Sequence, residues 1–370
     1  MAHNIENNMI AWKGEKPWHG LGFEVPANAT GEEMLVIAGL NWLVQRRHLA
    51  MRPSNGDTSV MLTSELDDYR AIVRSDTNQV FTVASDRYHP VQNAEIVDFF
   101  REFCNAGHAS METVGGLRNG AVVWALAKLN GGSTATLQGV DELRGYMLLA
   151  TSHDGSLVTV GKPTQTRVVC WNTLSAALGL SGGRLKEKEQ REFRMKHTRN
   201  FGTAERSNAQ KIMGMAIQQI QATNELANEL SQVHIDAAGR LQFIDRLLDG
   251  KSLLDTAAEE TVSFSSNASI LDAVISNGHS VHTGNPEEKL NRVGKAILEA
   301  MLTSPGSDLP TAKDTLWGAI NGITYYADHS SKARSDSNRM FSSWFGPNET
   351  LKNRAVQVAV DMAGIKVAQA

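Results

Sequence analysis

The run "KPTQTRVVCWNTLSAALGL", Lys162–Leu180, carries two structural signals at once. Its first half, TRVVCW, is β-branched and apolar and predicts a strand. Its second half, NTLSAALGL, predicts a helix start. Asn172 or Thr173 would be the N-cap, Leu174, Ala177 and Leu178 fall at helical spacing, and Gly179 is the stop. Strand-to-helix turns of this kind bind anions, hold nucleophiles or simply build core. Alternation along RVVCWN puts Arg167, Val169 and Trp171 on one face and Val168, Cys170 and Asn172 on the other. Cys170 is therefore expected in the core. Asn172 or Thr173 is expected to satisfy orphan amides at the helix start. Arg167, on the opposite face, is the member expected to touch a ligand.

Upstream lie two hairpin signals. YMLLATSHDGSLVTVGK turns at Asp154-Gly155, and SMETVGGLRNGAVVWALAKL turns at Asn119-Gly120, a type I′ signature. Before them, PVQNAEIVDFFREFCNAG has helical period, with Ile96, Phe99, Phe100 and Phe103 on one face and Cys104 as an inert, buried extension of it. QVFTVASD, YRAIVRS, TSVMLTSEL and NWLVQRRHLAMR each predict a strand, and TGEEMLVIAGL a short helix capped by Thr30. The arm AWKGEKPWHGLGFEVP, Ala11–Pro26, predicts no secondary structure of its own. It carries Trp12 and Trp18, which are expected to dock rather than stay in water.

Downstream the pattern turns helical. A long helix is expected from Ala204 to Val233, with Ile212, Met215, Ile220, Leu226, Leu230 and Val233 as its stripe and Ser207 to Gln210 as a capping box. A Ser/Asn/Gly-rich region leads to helices in EEKLNRVGKAILEAML and TAKDTLWGAINGITYYADH. A polar loop, SSKARSDSNR, then precedes MFSSWFG and a last helix from Asn348. The fold class is α+β: an antiparallel, hairpin-rich sheet with helices on one face over residues 1–200, and a mainly helical part over 201–370.

Bulk properties narrow the function. Of 370 residues, 41% are hydrophobic and 21% charged, the net charge is −4, and there are two cysteines. No apolar run approaches the roughly 20 residues of a membrane span. No secretory pattern opens the chain, and two cysteines make no disulfide framework. The expected setting is the reducing cytoplasm, with no membrane partner.

Several chemistries have little support. The glycine clusters in GLGFEVPANATGEE and GGLRNGAVV match neither a P-loop nor a dinucleotide fingerprint. His279 and His282, in HSVH, lack the further ligands a metal site needs. Neither a cofactor nor a metal is expected. A thiolate at Cys170 served by His153 and Asp154 is the enzymatic alternative, but Cys170 shares a face with Val168.

The basic run is the stronger lead. From Arg184 to Lys211 there are nine Lys/Arg (184, 186, 188, 191, 194, 196, 199, 206, 211) and four Glu (187, 189, 192, 205), a local charge of +5 in a chain otherwise at −9. Phe193, Met195 and Phe201 interleave with Arg191, Arg194, Lys196, His197 and Arg199. Aromatic rings among cations suit single-stranded nucleic acid, where bases stack and phosphates pair. The candidate binding residues are Arg167, Arg184, Lys186, Arg191, Phe193, Arg194, Lys196, His197 and Arg199. The expected function is non-enzymatic binding of single-stranded DNA by a homo-oligomer. The alternatives are a protein that takes over or counters a host by binding a protein target, or an enzyme built on Cys170 and His153.

Four stretches, KPWHGLG, TRVVCWNTLSAAL, FRMKHTRN and GAINGITYYADH, resemble the signatures of the phage/plasmid-like family, domain of unknown function 932. That family shows, in this order, a Pro-Trp-His-Gly-Leu-Gly arm, an Arg-Val-Val-Cys-x-Asn-Thr-Leu turn, an Arg-His-Thr stretch and a late Asn-x-x-Thr-x-x-x-Asp-His helix. The resemblance spans nearly the whole chain. Lys196 stands where Arg is common, and Tyr325 where an acidic residue is common. It implies an origin in a phage or plasmid, and so a host cell's cytoplasm, but no activity. The layout of hairpins, helix and basic run is also similar to Rad-fifty-two-like phage annealing proteins, which implies a strand-annealing role in recombination by fold analogy alone.

Overall fold

A computed structural model describes residues 9–14, 22–51, 64–170, 172–175, 192–198, 202–248 and 290–365. The strands are β1 (Ile10–Trp12), β2 (Phe23–Glu24), β3 (Val44–Met51), β4 (Ser64–Arg74), β5 (Val80–Ser85), β6 (Ala109–Leu117), β7 (Val122–Leu129), β8 (Ala135–Leu137), β9 (Asp141–Ser152), β10 (Thr159–Arg167), β11 (Asn172–Ser175) and β12 (Phe193–Met195). The helices are α1 (Gly31–Ile37), α2 (Asn93–Asn105), α3 (Thr203–Leu230), α4 (Ala237–Leu247), α5 (Arg292–Thr303), α6 (Leu316–Tyr325), α7 (Asp336–Phe345) and α8 (Pro347–Ala363). A π-helical turn, Tyr326–Ser330, continues α6. The class is α+β, as the sequence predicts.

The main sheet runs β11-β10-β9-β7-β6-β1-β2, with β8 beside β9 and β12 beside β10. Its hairpins are those the turn residues specify. At the β6–β7 turn Arg118 and Asn119 have φ of 53° and 57°, the left-handed conformation that a type I′ turn requires. β3, β4 and β5 form a separate three-stranded sheet. The arm is not structureless: β1 pairs antiparallel with β6 and parallel with β2, and Trp12 is buried. Trp18 lies outside the described residues.

Helices cover both faces of the main sheet, not one. On β7, Val123, Ala125, Ala127 and Leu129 join a core with α1, α2 and the front of α3. The alternate residues Val122 and Trp124 face a second core with Leu148, Ala150 and Trp344 of α7. This explains why β7 and β9 read as continuous apolar runs: a strand buried on both faces has no polar side to show. α3 approaches closely because β9 has Gly145 opposite it. A side chain there would sit 2.7 Å from Ile220 Cδ1.

The helical end has its own core. Leu226 and Leu230 of α3 pack with α4, α5, α6 and α8, and with Leu137 and Leu143 of the sheet. Side-chain caps start α4 (Asp236), α5 (Asn291), α6 (Thr315) and α7 (Ser335). Gly322 on α6 lies where any side chain would meet the backbone of Met301 on α5, at 2.6 to 2.8 Å.

Three expectations are corrected. α3 is capped at Gly202, so the Ser207 box lies inside the helix, and Met215 is 40% exposed while Ala216 turns inward. α7 begins at Asp336, inside the expected polar loop. Above all, Asn172 does not open a helix. Residues 168–170 make a turn, and β11 folds back on β10, pairing Arg167 with Asn172 and Thr164 with Ser175. Tertiary partners override the local cap signal. Asn172 Nδ2 donates to Asn321 O at 2.9 Å, and Thr173 N–H donates to Asp328 Oδ2 at 2.8 Å. Residues 176–180 lie outside the described part.

Candidate functional site

β10 is the hub of the molecule. Eight of its nine residues are buried, and nearly every polar side chain it carries has a partner on another element. Lys162 is ion-paired to Glu349 and donates to Trp344 O on the helical side, with its ammonium 5.2 Å from the Phe345 ring. Burial pulls its pKa down, and the Glu349 carboxylate opposes that shift. Gln165 donates to Asn224 of α3.

Arg167, expected at a ligand, is 2% exposed. Its Nε lies 2.8 and 2.9 Å from the two carboxylate oxygens of Asp141, and Nη2 donates to Gly306 O at 3.0 Å. Asp141 is wholly buried and also accepts from Thr311 Oγ1 (2.8 Å) and Trp317 Nε1 (3.2 Å). A guanidinium so enclosed joins the sheet to the helices and is not available to a ligand. A cavity of about 10 Å³ beside it, lined by Gln165, Arg167, Asn172 and Asn321 among others, has room for about one water molecule.

The Cys-x-Asn-Thr stretch and the late Asn-x-x-Thr-x-x-x-Asp-His helix meet here. The π turn carries Asp328 toward β11. There Lys352 Nζ of α8 reaches Asp328 Oδ1 at 2.8 Å, Ser343 Oγ at 2.9 Å and Thr173 O at 2.6 Å. Ser343 donates to the same carboxylate. A serine beside a lysine invites comparison with a nucleophile and its base. Here the lysine is committed to an ion pair, and both Ser343 and Lys352 are closed to solvent. Sequence reasoning missed Lys162, Glu349, Ser343 and Lys352, whose partners lie on distant elements.

The Cys170–His153 alternative is excluded by the hairpin. Arg167 pairs with Leu143 near one end of β9, while His153 follows the other end. Ten residues of strand separate the two, roughly 30 Å. Cys170 is buried as expected, and burial pushes its thiol up, against thiolate formation. His153 is fully buried between Trp42 and Phe81, and its Nε2–H donates to Asn93 Oδ1 at 2.9 Å. Asn93 is oriented by its own bond to Leu40 O. Burial pulls the His153 pKa down to about 3. Among the described residues no group of three or more His, Cys, Asp or Glu is placed to hold a metal; His279 and His282 lie outside them.

The basic run is partly in view. β12 pairs with the first half of β10, Gly161 opposite Phe193 and Thr159 opposite Met195. Its residues alternate. Phe193, Met195 and His197 point inward, at 2%, 3% and 7% exposure, while Arg194 and Lys196 point out. Phe193 is thus a core anchor and cannot stack on a base. His197 stacks on Tyr88 with ring centres 4.8 Å apart, and its Nε2 faces Leu157 O at 3.0 Å. It too is withdrawn from any ligand, and burial lowers its pKa. Arg194 pairs with Glu192 at 2.6 Å, yet its side chain keeps 43% of its exposure. Lys196 is exposed, and so is Arg87, which precedes Tyr88. Arg184, Lys186, Arg191 and Arg199 lie outside the described residues. The residues flanking 176–192, which include Arg184, Lys186 and Arg191, are held to the sheet: Ser175 and Phe193 pair with β10 three residues apart.

A family model described as "Domain of unknown function (DUF932)" matches residues 80–344, more than two thirds of the chain. The chain belongs to that family. The DUF932 match runs from the first residue of β5 to Trp344 of α7, so it contains both stretches that meet at the end of β10. It does not reach KPWHGLG, and so is shorter than the resemblance implied. No curated protein and no solved structure matches significantly. Within the DUF932 region the buried charges at the end of β10, Arg167 with Asp141 and Lys352 with Asp328, are engaged with one another, which leaves the surface to meet a ligand.

Proposed function

We propose that this DUF932 protein binds single-stranded nucleic acid, DNA in the first instance, through cations presented along β12 and the basic segment that β12 anchors. The observation that carries this reading is the alternation in FRMKH. Apolar and aromatic side chains hold the strand to the sheet and leave Arg194 and Lys196 in water. Arg87 is held nearby, because His89 N–H bonds to His197 O and Tyr88 stacks on His197. Arg184, Lys186, Arg191 and Arg199 adjoin this strand in sequence and give the run its local excess of +5.

The mode of recognition differs from the one the sequence suggests. With Phe193 and His197 buried, neither ring can stack on a base, and Phe201 lies outside the described residues, so the reading rests on phosphate pairing. Binding of that kind tracks the backbone, discriminates little between sequences and weakens steeply with salt. Annealing of complementary strands fits a surface that holds backbones and leaves bases free. A phage or plasmid origin, a role in recombination and action in the host cytoplasm belong to the same reading. Among the described residues no helix is long and apolar enough to cross a membrane.

The test is a titration of the full chain with a labelled oligonucleotide over a salt series, beside an Arg194→Ala/Lys196→Ala variant. The reading expects weaker binding and a shallower salt slope in the variant. Absence of binding by the parent at low salt removes the reading and leaves a protein target in its place.

A further inference from the structure

The three-stranded sheet has two edges of opposite character. β3 carries Arg46, Arg47 and His48, all exposed. Charged edges of this kind block strand addition. β5 reads VFTVAS, with no charge and no proline. Val80 and Val83 on it are 56% and 53% exposed, and Tyr69 on β4 is 50% exposed. Val83 pairs with Ala71 and Ser85 with Tyr69, so Val83 and Tyr69 lie diagonally on the same face. On the side away from β4, residues 80–84 pair with no other described strand, and their backbone accepts only a long bond within the strand itself, from Thr82 Oγ1 to Val83 O at 3.4 Å. Tyr88 N–H reaches back only to Ser85 O.

We infer that β5 pairs antiparallel with β5 of a second copy of this chain, joining two three-stranded sheets into one of six strands. The occupant follows from charge and symmetry. An antiparallel self-pair is isologous, so every unpaired group on one copy meets its complement on the other. Since Val80–Ser85 is uncharged, no like charges meet across the axis. With the axis between Thr82 and Val83, Asp86 and Arg87 fall opposite Gln79 and Asn78, which are neutral. The same pairing through β3 would bring Arg46, Arg47 and His48 against their own copies. The pairing also sets Val80 and Val83 beside side chains of the partner strand on the same sheet, which lessens their contact with water. An interface built on one strand pair is below the roughly 1,200 Å² of a stable complex, so the association is reversible. This inference is independent of the nucleic-acid reading, because β5 carries none of the cations that reading uses.

Sedimentation velocity across a dilution series of the full chain decides it, with Val83→Lys and Thr82→Pro as variants. Val83 is half exposed, so a lysine there leaves the core intact, and circular dichroism with a melting curve verifies folding of each variant. The parent should pass from monomer to dimer as concentration rises, and the folded variants should stay at half the dimer mass. Arg47→Glu on β3 should leave the dimer in place. A parent that stays monomeric throughout overturns the inference. A dimer or larger oligomer that survives Val83→Lys overturns it equally, because its contacts would then lie elsewhere. Should Thr82→Pro misfold, Val83→Lys alone carries the decision.

Discussion

Arg167 on β10 lays its guanidinium edge against the carboxylate of Asp141 on β9, at 2.8 and 2.9 Å, with both side chains closed to water. The pair also holds Gly306, Thr311 and Trp317. Removing one partner leaves an unpaired charge inside the protein. Arg167→Ala or Asp141→Ala should destabilise the fold by about 3–5 kcal/mol in denaturant titration. A double substitution to apolar residues of similar volume should recover much of that loss. A single substitution without effect on the unfolding midpoint would show that the pair is dispensable.

Phe193 and its neighbours Arg194 and Lys196 should separate cleanly by phenotype. Phe193→Ala empties a fully buried site and should lower stability by about 3–5 kcal/mol. Lys196→Ala removes an exposed side chain and should leave the melting temperature nearly unchanged, while Arg194→Ala also removes a partner of the buried Glu192 carboxylate and should lower it, by less than Phe193→Ala does. If Phe193→Ala instead weakened oligonucleotide binding in a protein of full stability, the ring would be a stacking platform after all.

Acid should destabilise the protein through its buried histidines. The His153 pKa is about 3 in the folded state, against about 6.5 when unfolded. Between those values the unfolded chain binds a proton that the folded one refuses, so stability falls as pH falls. His153 alone contributes a slope of up to about 1.4 kcal/mol per pH unit in that window. His197 and His329 are depressed by burial and act with the same sign. His153→Asn should flatten the dependence of unfolding free energy on pH below about 6. An unchanged slope in that variant would mean that His153 is protonated in the folded protein.

The two thiols should react in a fixed order. Cys104 is partly exposed and Cys170 is buried, and burial raises both thiols. A thiol reagent should label Cys104 slowly in the native protein and reach Cys170 only on unfolding, as read by peptide mass. Rapid native labelling at Cys170 would reopen the question of a reactive thiol.

How much of this was legible in the sequence depends on whether the deciding partner was local. Asn119-Gly120 and Asp154-Gly155 fix their own turns, and the Thr30 capping box closes within four residues, so these elements could be read directly. NTLSAAL could not. Its cap signal is real, but Asn172 and Thr173 are claimed by Asn321 and Asp328, about 150 residues away in sequence. Arg167 was misplaced for a related reason. The strand ends at Arg167 and residues 168–170 turn, so the alternation expected along RVVCWN does not hold: Cys170 Sγ lies 3.9 Å from the guanidinium, Asn172 pairs opposite Arg167, and α6 and its preceding loop cover them with Asp141 behind. In FRMKH the alternation was present in the sequence all along. The same alternation also fits interleaving for base stacking, and only the pairing of β12 with β10 separates the two.

The central claim is that this DUF932 chain pairs phosphates through Arg194, Lys196 and the adjoining basic segment. Its most direct test is the slope of log affinity against log salt for a single-stranded oligonucleotide, in the parent and in Arg194→Ala/Lys196→Ala. Each lost phosphate contact should flatten the slope by about 0.7, so the variant, verified as folded by its melting curve, should be shallower by about 1.4 and bind more weakly. A parent that binds no oligonucleotide at low salt, or a variant with the parent's affinity and slope, would contradict it.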